Sequence, residues 1–221
     1  MERIPEPELM IDPEQVIAYG MADFEEPHSN FIKILKRFCP DPESISTILD
    51  MGCGAGDITQ RLGRAFQNAG IDAIDGSPQM LEFVLGVMEG SDELGGRIRF
   101  IHTTVQEFRP DRKYDLIASN SLLHHIQDPS HFWNALVRVS SPGTRVFVMD
   151  LIRPDTADEA RRLVELYSPN ELEILKRDFY NSLLAAFELD EVRQQLVEAG
   201  LGYFNTERAS DRHIIVYGIC E

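Results

Sequence analysis

Cysteine is scarce in this sequence, and its three cysteines (Cys39, Cys53 and Cys220) cannot build a framework of disulfides. None of them lies in a CxxC pair or in the cysteine–histidine spacing of a zinc site. An apolar run of about 18 residues is missing, as is an N-terminal segment with the features of a signal peptide. We therefore expect a cytoplasmic protein that neither spans nor contacts a membrane.

Positive charge is also in short supply. Lys and Arg total 21 against 37 Asp and Glu, which gives a net charge of −16. Proteins that bind polynucleotides usually neutralise phosphates with a basic face, and no stretch here is strongly basic. We therefore expect no nucleic-acid partner, although a small nucleotide held by backbone amides stays compatible with this charge.

Strands and helices alternate through the middle of the chain. Apolar runs predict five strands, at 45–51, 71–75, 97–102, 114–119 and 144–151. Amphipathic stretches between them predict helices, among them one that starts at Asp57 and ends at Gly70 and one over 129–140. Such alternation implies parallel strands with right-handed crossovers, so we predict a doubly wound α/β sheet.

The segments on either side of this region do not show the alternation of strands and helices. The first dozen residues are expected to be a flexible lead-in, and residues 13–39 two helices broken near Pro27. For residues 155–187 we expect one or two helices without a strand, broken near Ser168-Pro169. After them we expect a helix at 189–199 and two strands at 202–208 and 212–219. We expect a single domain (1–221) in four parts: an N-terminal helical lid (1–44), a core (45–151), a helical insertion that caps the substrate (152–187), and a final helix and hairpin (188–221).

A glycine-rich turn is the strongest local signal. It reads Asp50-Met51-Gly52-Cys53-Gly54-Ala55-Gly56 and leads from the first strand into a helix N-terminus. The glycines allow a close backbone approach to a ligand, and the free amides of the helix favour a polar or anionic one. Asp75 ends the second strand, where nucleotide-binding units usually carry an acid that accepts both ribose hydroxyls.

Two cofactor classes compete for this turn. Dinucleotide sites use GxGxxG, whereas this chain has GxGxG followed by Asp57, whose charge would repel a pyrophosphate. S-adenosylmethionine has no phosphate, and its ammonium and sulfonium groups suit an acid beside the turn. An NAD(P)-dependent oxidoreductase is the less favoured alternative, which the final strand hairpin also opposes.

The residues 50–56, with Asp75-Gly76, resemble the class I S-adenosylmethionine-dependent methyltransferases. The run Asn120-Ser121-Leu122-Leu123-His124-His125 is similar to the loop after strand four in the menaquinone/ubiquinone-biosynthesis-like branch, the "type 11" methyltransferase domain. The resemblance covers residues 45 to 150. It implies a Rossmann-like seven-stranded sheet in the order 3-2-1-4-5-7-6, with strand 7 antiparallel and helices on both faces.

The resemblance also implies a cofactor, S-adenosyl-L-methionine, with S-adenosyl-L-homocysteine as its product. Asp50 would hold the ammonium group and Asp75 the ribose hydroxyls. The family usually has an acidic or amide residue near Thr104 and Val105, so this chain departs from the pattern there. The other implied cofactor contacts are Gly52, Cys53, Gly54, Gly56, Gly76, Met80, Asn120, Ser121 and Tyr19.

The absence of two motifs restricts the classes of methyl acceptor that we expect. An Asn-Pro-Pro-aromatic run, typical of base or amide methylation, is lacking after strand four, as is a Pro-Cys nucleophile. Together with the net charge, this favours a small-molecule acceptor. No metal is predicted, because acids for a magnesium site are not evident and the adjacent His124 and His125 should not share one helical face.

Methyl transfer is an in-line displacement for which positioning supplies much of the acceleration, and a general base matters only for some acceptors. The catalytic candidates are His124, His125 and Tyr180. The candidates for binding the acceptor are Phe24, His28, Asp150, Arg153, Arg177, Asn181 and His213. A non-catalytic protein that binds the cofactor or a partner is the main alternative; the acceptor and a homodimer are left open.

Overall fold

The computed structural model of the protein describes residues 1–88, 94 and 96–221. Over these residues one sheet of seven strands has the order β3-β2-β1-β4-β5-β7-β6. The strands are β1 (Thr47–Met51), β2 (Gly70–Asp75), β3 (Ile98–His102), β4 (Leu116–Asn120), β5 (Arg145–Leu151), β6 (Asn205–Arg208) and β7 (His213–Ile219). Strands β1 to β5 pair in parallel, and β7 runs antiparallel to both of its neighbours. The predicted fold class and strand order are confirmed.

Eight α-helices accompany the sheet in the part of the chain that is described: α1 (Pro13–Met21), α2 (Glu25–Phe38), α3 (Asp57–Ala65), α4 (Pro78–Met88), α5 (Ser130–Val139), α6 (Ala157–Tyr167), α7 (Glu173–Ala185) and α8 (Leu189–Glu198). None of them is both long enough and apolar enough to cross a membrane. The predicted break between α6 and α7, near Ser168-Pro169, is present.

Alternate residues of the central strands supply two apolar layers, one on each face of the sheet. In β1, Leu49 and Met51 pack with helices α5 and α8, whereas Ile48 packs with α2 and α3. Successive side chains of a strand point to opposite faces, so a strand covered on both faces must be apolar throughout. Because these strands pair in parallel, the carboxyl ends of β1, β2, β4 and β5 meet at one edge of the sheet.

The first twelve residues, here called the N-terminal strap, cross this edge, so the prediction of a flexible lead-in is wrong. The amide of Ile4 donates to the Leu184 carbonyl at 3.0 Å. The Arg3 guanidinium donates to the carbonyls of Ala185 and His124 at 2.6 and 2.9 Å. A single arginine can satisfy several carbonyls because it offers five donors in a planar fork. The strap is thereby fixed to α7 and to the turn after β4.

Two predicted helix boundaries are also wrong. Helix α1 ends at Met21 and α2 begins at Glu25, so Pro27 lies in the first turn of α2, where its missing N–H costs nothing. Helix α3 ends at Ala65, and Gly70 is the first residue of β2 rather than a helix cap. The guanidinium of Arg97 donates to the Gly63 carbonyl in the last turn of α3 at 2.9 Å and to the Phe66 and Ala69 carbonyls beyond it, which satisfies carbonyls at this helix end without a glycine cap.

Candidate active site

The turn after β1 holds all three of its glycines in the left-handed region. Their φ angles are +76° at Gly52, +50° at Gly54 and +82° at Gly56, values that side chains with a Cβ rarely adopt. The amides of Gly52 and Cys53 both donate to the Ile74 carbonyl, at 2.9 and 3.0 Å. These bonds fix the turn against the end of β2, so its backbone geometry is set before any ligand arrives.

Asp75, at the end of β2, links this turn to helix α4. Its Oδ2 accepts from the Gly54 amide and its Oδ1 from the Ser77 amide, each at 2.8 Å. The Ser77 hydroxyl in turn accepts from the Met80 amide at 3.2 Å and caps the helix. Burial raises the pKa of Asp75, and the two amide bonds act against that rise.

Asp50 is the most deeply buried acid of the turn, with 1% of its surface exposed. The Thr59 hydroxyl donates to its Oδ2 at 2.6 Å. The pKa of Asp50 is raised to about 7, mainly by burial; the Thr59 hydrogen bond acts against this rise and the charge of Asp75 adds to it. A cation that binds beside this carboxyl near neutral pH therefore stabilises its ionised form.

These groups face a cavity of about 890 Å³. Its size lies in the upper part of the range of about 300–1,000 Å³ that is usual for small-molecule sites. The cavity brings together every predicted cofactor contact: Asp50, Gly52, Cys53, Gly54, Gly56, Asp75, Gly76, Met80, Thr104, Val105, Asn120, Ser121 and Tyr19. It also includes five of the predicted catalytic and acceptor residues: Phe24, His28, His124, His125 and His213.

The turn after β4 carries a buried histidine–carboxylate pair. His124 Nδ1 lies 2.5 Å from Asp150 Oδ1, and the Leu123 amide donates to Asp150 Oδ2 at 2.7 Å. Burial by itself would lower the pKa of His124, but the charge and hydrogen bond of Asp150 outweigh it and raise that pKa. Burial and the neighbouring His124 lower the pKa of His125 to about 3.

The expectation that His124 and His125 cannot share a face is wrong. Residues Leu123–His125 form a short 3₁₀ turn rather than an α-helix, and the two ring centroids lie 4.3 Å apart with a tilt of 35°. In a 3₁₀ turn that ends directly after the histidines, α-helical spacing does not govern the direction of their side chains. Both rings accordingly line the same cavity.

Five predicted residues do not line the cavity. Asp150 is buried behind His124 and would act only through it. Arg153 is engaged inside the protein by Glu188 and Glu191, at 2.9 Å each. The other three are on α7 but away from the cavity: Arg177 and Asn181 are exposed, and Tyr180 is half-buried against apolar residues of α6 and α7. Their predicted contact with an acceptor is therefore wrong, because the sequence periodicity of α7 was assigned to the wrong face.

Several cavity residues were missed by sequence reasoning. Helix α7 presents Leu175, Asp178, Phe179 and Ser182, whose i, i+3, i+4, i+7 spacing was the available signal. The strap contributes Glu6, Glu8, Leu9 and Met10, and no local pattern could have placed them there. Arg212 also lines the cavity, with its guanidinium 3.4 Å from the centre of the Tyr167 ring.

Comparison with known proteins bears on the same region of the chain. A family model described as "Methyltransferase domain" matches residues 48–143. Malonyl-acyl-carrier protein O-methyltransferase 2 of Ilyobacter polytropus is 29% identical over 135 residues, which cover 60% of this chain and 49% of that protein. The malonyl-acyl-carrier protein O-methyltransferase of Acetivibrio thermocellus is 30% identical over 185 residues, covering 76% and 62% of the two chains. The chain thus spans about half of the first relative and less than two thirds of the second.

Solved structures share the whole fold at low identity. A methyltransferase from Aquifex aeolicus, described as SAM dependent, superposes with a TM-score of 0.66 at 19% identity and covers 94% of this chain and 98% of that one. A plantazolicin methyltransferase in complex with a desmethylPZN analog and SAH gives a TM-score of 0.71 at 15% identity, with 93% and 90% covered. At such identities these structures support the fold alone.

Proposed function

Since residues 48–143 of this chain match a methyltransferase domain, we propose that the chain is a class I S-adenosylmethionine-dependent methyltransferase that transfers a methyl group to a small-molecule acceptor. The observation that carries the proposal is the glycine turn with Asp50 and Asp75 around one cavity. Relatives named as O-methyltransferases, from Ilyobacter polytropus and Acetivibrio thermocellus, support an oxygen atom as the acceptor.

The residues present fit this cofactor. An added Cβ at Gly54 would meet only the Tyr19 ring, at 3.9 Å, so this part of the turn is open toward the cavity. Asp75 has both oxygens fixed by amides and can accept one ribose hydroxyl on each. Asp57, at the start of α3, is held by His28 and Arg61 at 2.6 and 2.7 Å, so its carboxylate stays at the helix N-terminus where a pyrophosphate would have to bind. The dinucleotide alternative therefore has no support from this site.

The chain's own residues would act mainly by positioning. The cofactor, when bound, supplies an electrophilic methyl group on a sulfonium. Asp50 and Asp75 would fix the ends of the ligand, and the strap with α7 would keep water from the reacting atoms. The acceptor would lie on the side of the cavity formed by His124, His125 and Asp178.

Cofactor affinity should depend on pH through Asp50. In the free protein the pKa of Asp50 is raised to about 7, whereas a bound ammonium group favours the ionised carboxylate. Binding of S-adenosylhomocysteine should therefore weaken as pH falls below about 7, by up to about tenfold for each pH unit. Calorimetry between pH 8 and 5.5 measures the slope, and Asp50→Asn should remove it. The same slope in that variant would contradict the assignment.

Two alanine substitutions in the glycine turn should separate folding from binding. At Gly56 the new Cβ would lie 2.3 Å from Val84 Cγ2 with φ at +82°, so Gly56→Ala should destabilise the protein by about 2–3 kcal/mol. At Gly54 the space is open, so Gly54→Ala should cost only about 1–2 kcal/mol but project into the ligand's place. Thermal unfolding and calorimetry with S-adenosylhomocysteine test both. Equal stabilities with unchanged binding in both variants would show that the turn does not cradle the cofactor.

Turnover tests the function itself. The protein is incubated with S-adenosylmethionine and a panel of small carboxylic acids, alcohols and phenols, and S-adenosylhomocysteine and methylated products are measured by mass spectrometry. The Asp75→Ala variant, incubated in the same way, is the negative control for product formation. Product from at least one acceptor, lost in the variant, supports the proposal. Tight cofactor binding with no product from any acceptor class would favour the non-catalytic alternative.

A further inference from the structure

A carboxylate of the strap meets the two histidines of the turn after β4. Glu6 Oε1 lies 3.6 Å from His124 Nε2 and 3.3 Å from His125 Nδ1. The ligand atoms of these three side chains all lie within 4.8 Å of one another. We propose that Glu6, His124 and His125 form a binding site for a divalent transition-metal ion, of which Zn²⁺ is the reference case.

The separations between these atoms suit a tetrahedral ion. Ligands placed about 2.0–2.1 Å from a tetrahedral Zn²⁺ are separated from one another by about 3.3–3.4 Å. The distances from Glu6 Oε1 to His125 Nδ1 and to His124 Nε2, 3.3 and 3.6 Å, match this ligand–ligand separation within a few tenths of an ångström. The third separation, between the two histidine nitrogens, is at most 4.8 Å.

His124 is already oriented as a metal ligand. Its Nδ1 is hydrogen-bonded to Asp150 Oδ1 at 2.5 Å, so the ring nitrogen that faces Glu6 is Nε2. Asp150 is itself fixed by the amides of Leu123 and Leu151, each at 2.7 Å. A carboxylate on the far nitrogen of a ligating histidine is a recurrent feature of metal sites, since it sets the tautomer and the direction of the ring.

Two buried polar atoms at the site lack a hydrogen-bond partner. One is His125 Nδ1, whose 3.3 Å contact with Glu6 Oε1 does not have hydrogen-bond geometry, and the other is Asp178 Oδ2, on the cavity side of α7. Leaving such atoms unsatisfied is costly, and their presence in a native structure calls for an explanation. The charged groups that act on Glu6 are the carboxylates of Asp150 and Asp178, the imidazole of His124 and the guanidinium of Arg3. With His124 neutral, as a metal ligand must be, the three carboxylates of Glu6, Asp150 and Asp178 outnumber the one guanidinium. A divalent cation would satisfy Nδ1 and offset the excess of negative charge.

Three protein ligands leave one coordination position open toward the cavity. Imidazole with carboxylate is a donor set that suits Zn²⁺, Co²⁺, Ni²⁺ and Fe²⁺ better than Mg²⁺. In an extension that rests on the proposed function, the open position would take a hydroxyl or carboxyl oxygen of the acceptor and polarise it. The sequence could not suggest this site, because Glu6 is far from the histidines along the chain.

The experiment uses the full chain, stripped with a chelator and titrated with Co²⁺. We expect one Co²⁺ per chain, with visible absorption typical of tetrahedral coordination, and competition by Zn²⁺. Glu6→Gln and His125→Ala should each weaken binding by more than about tenfold, and Asp150→Asn by about 10- to 100-fold. Glutamine at position 6 can keep the hydrogen bond from Ser182, so the strap should stay docked.

Glu8→Gln is the matched control, because Glu8 lies in the same strap and binds the Gln127 amide at 3.0 Å, outside the three-ligand cluster. It should keep full Co²⁺ affinity. Absence of stoichiometric Co²⁺ and Zn²⁺ binding, or equal affinities in Glu6→Gln and Glu8→Gln, would overturn the proposal. Calorimetry of the same proteins with S-adenosylhomocysteine keeps this outcome separate, because the cofactor site shares none of the three ligands.

Discussion

Replacing Asp75 by alanine is expected to weaken the binding of S-adenosylhomocysteine by about 10- to 100-fold, or about 1.5–3 kcal/mol. The carboxylate has two roles that alanine removes together. It would accept the ribose hydroxyls, and it already holds the Gly54 and Ser77 amides at 2.8 Å each, which joins the glycine turn to α4. Isothermal titration calorimetry at pH 8 measures the change.

Two further variants make the Asp75 result interpretable. Asp75→Asn keeps one carbonyl acceptor, so its affinity should lie between those of wild type and the alanine variant. Asp111→Ala removes an exposed carboxylate far from the turn and should bind like wild type. If Asp75→Ala remains folded by circular dichroism and loses less than about threefold in affinity, which is under about 1 kcal/mol, Asp75 does not hold the ribose.

Asp50→Asn is expected to stabilise the free protein while it weakens cofactor binding to a measurable degree. The pKa of Asp50 is raised from an ordinary 3.8 to about 7 by burial. A difference of about three pKa units, at about 1.4 kcal/mol each, corresponds to an order-of-magnitude penalty of about 4 kcal/mol for the ionised side chain. Asparagine carries no charge and can still accept from Thr59, so the penalty should disappear.

The sign of this effect fixes its pH window. Because the folded-state pKa lies above the unfolded one, the folded protein binds the proton more tightly and loses stability as pH rises from about 4 to about 7. Asp50→Asn should therefore raise Tm by several degrees at pH 8 and by little near pH 4. Thermal unfolding at both pH values measures this. A variant that is less stable than wild type at pH 8 would contradict the burial argument.

The grouping of the glycine turn, Asp50 and Asp75 around one cavity could be predicted because its signals are local. A strand, three glycines in a tight turn and a helix start lie within a few residues, and Asp75 follows at the end of the next strand. The backbone needs φ values near +50° to +82° at the three glycines, which restricts the residue type there. The strand order followed from the same alternation together with the family resemblance.

The part of the cavity proposed to hold the acceptor could not be predicted, because its residues come from segments that are distant along the chain. Glu6 reaches the histidines only because Arg3 and Ile4 fix the strap to the end of α7 and the turn after β4. On α7 the sequence analysis selected Arg177, Tyr180 and Asn181, whereas packing turns the face with Asp178 toward the cavity. Asp150 was predicted to contact an acceptor, whereas its burial directs it to His124.

The central claim is that the glycine turn with Asp50 and Asp75 holds S-adenosylmethionine. Calorimetric titration of the unmodified protein with S-adenosylmethionine, S-adenosylhomocysteine and NADH tests it most directly. The account predicts that both adenosyl compounds bind with a stoichiometry of one per chain and that NADH does not bind. Binding of NADH without binding of either adenosyl compound would contradict it.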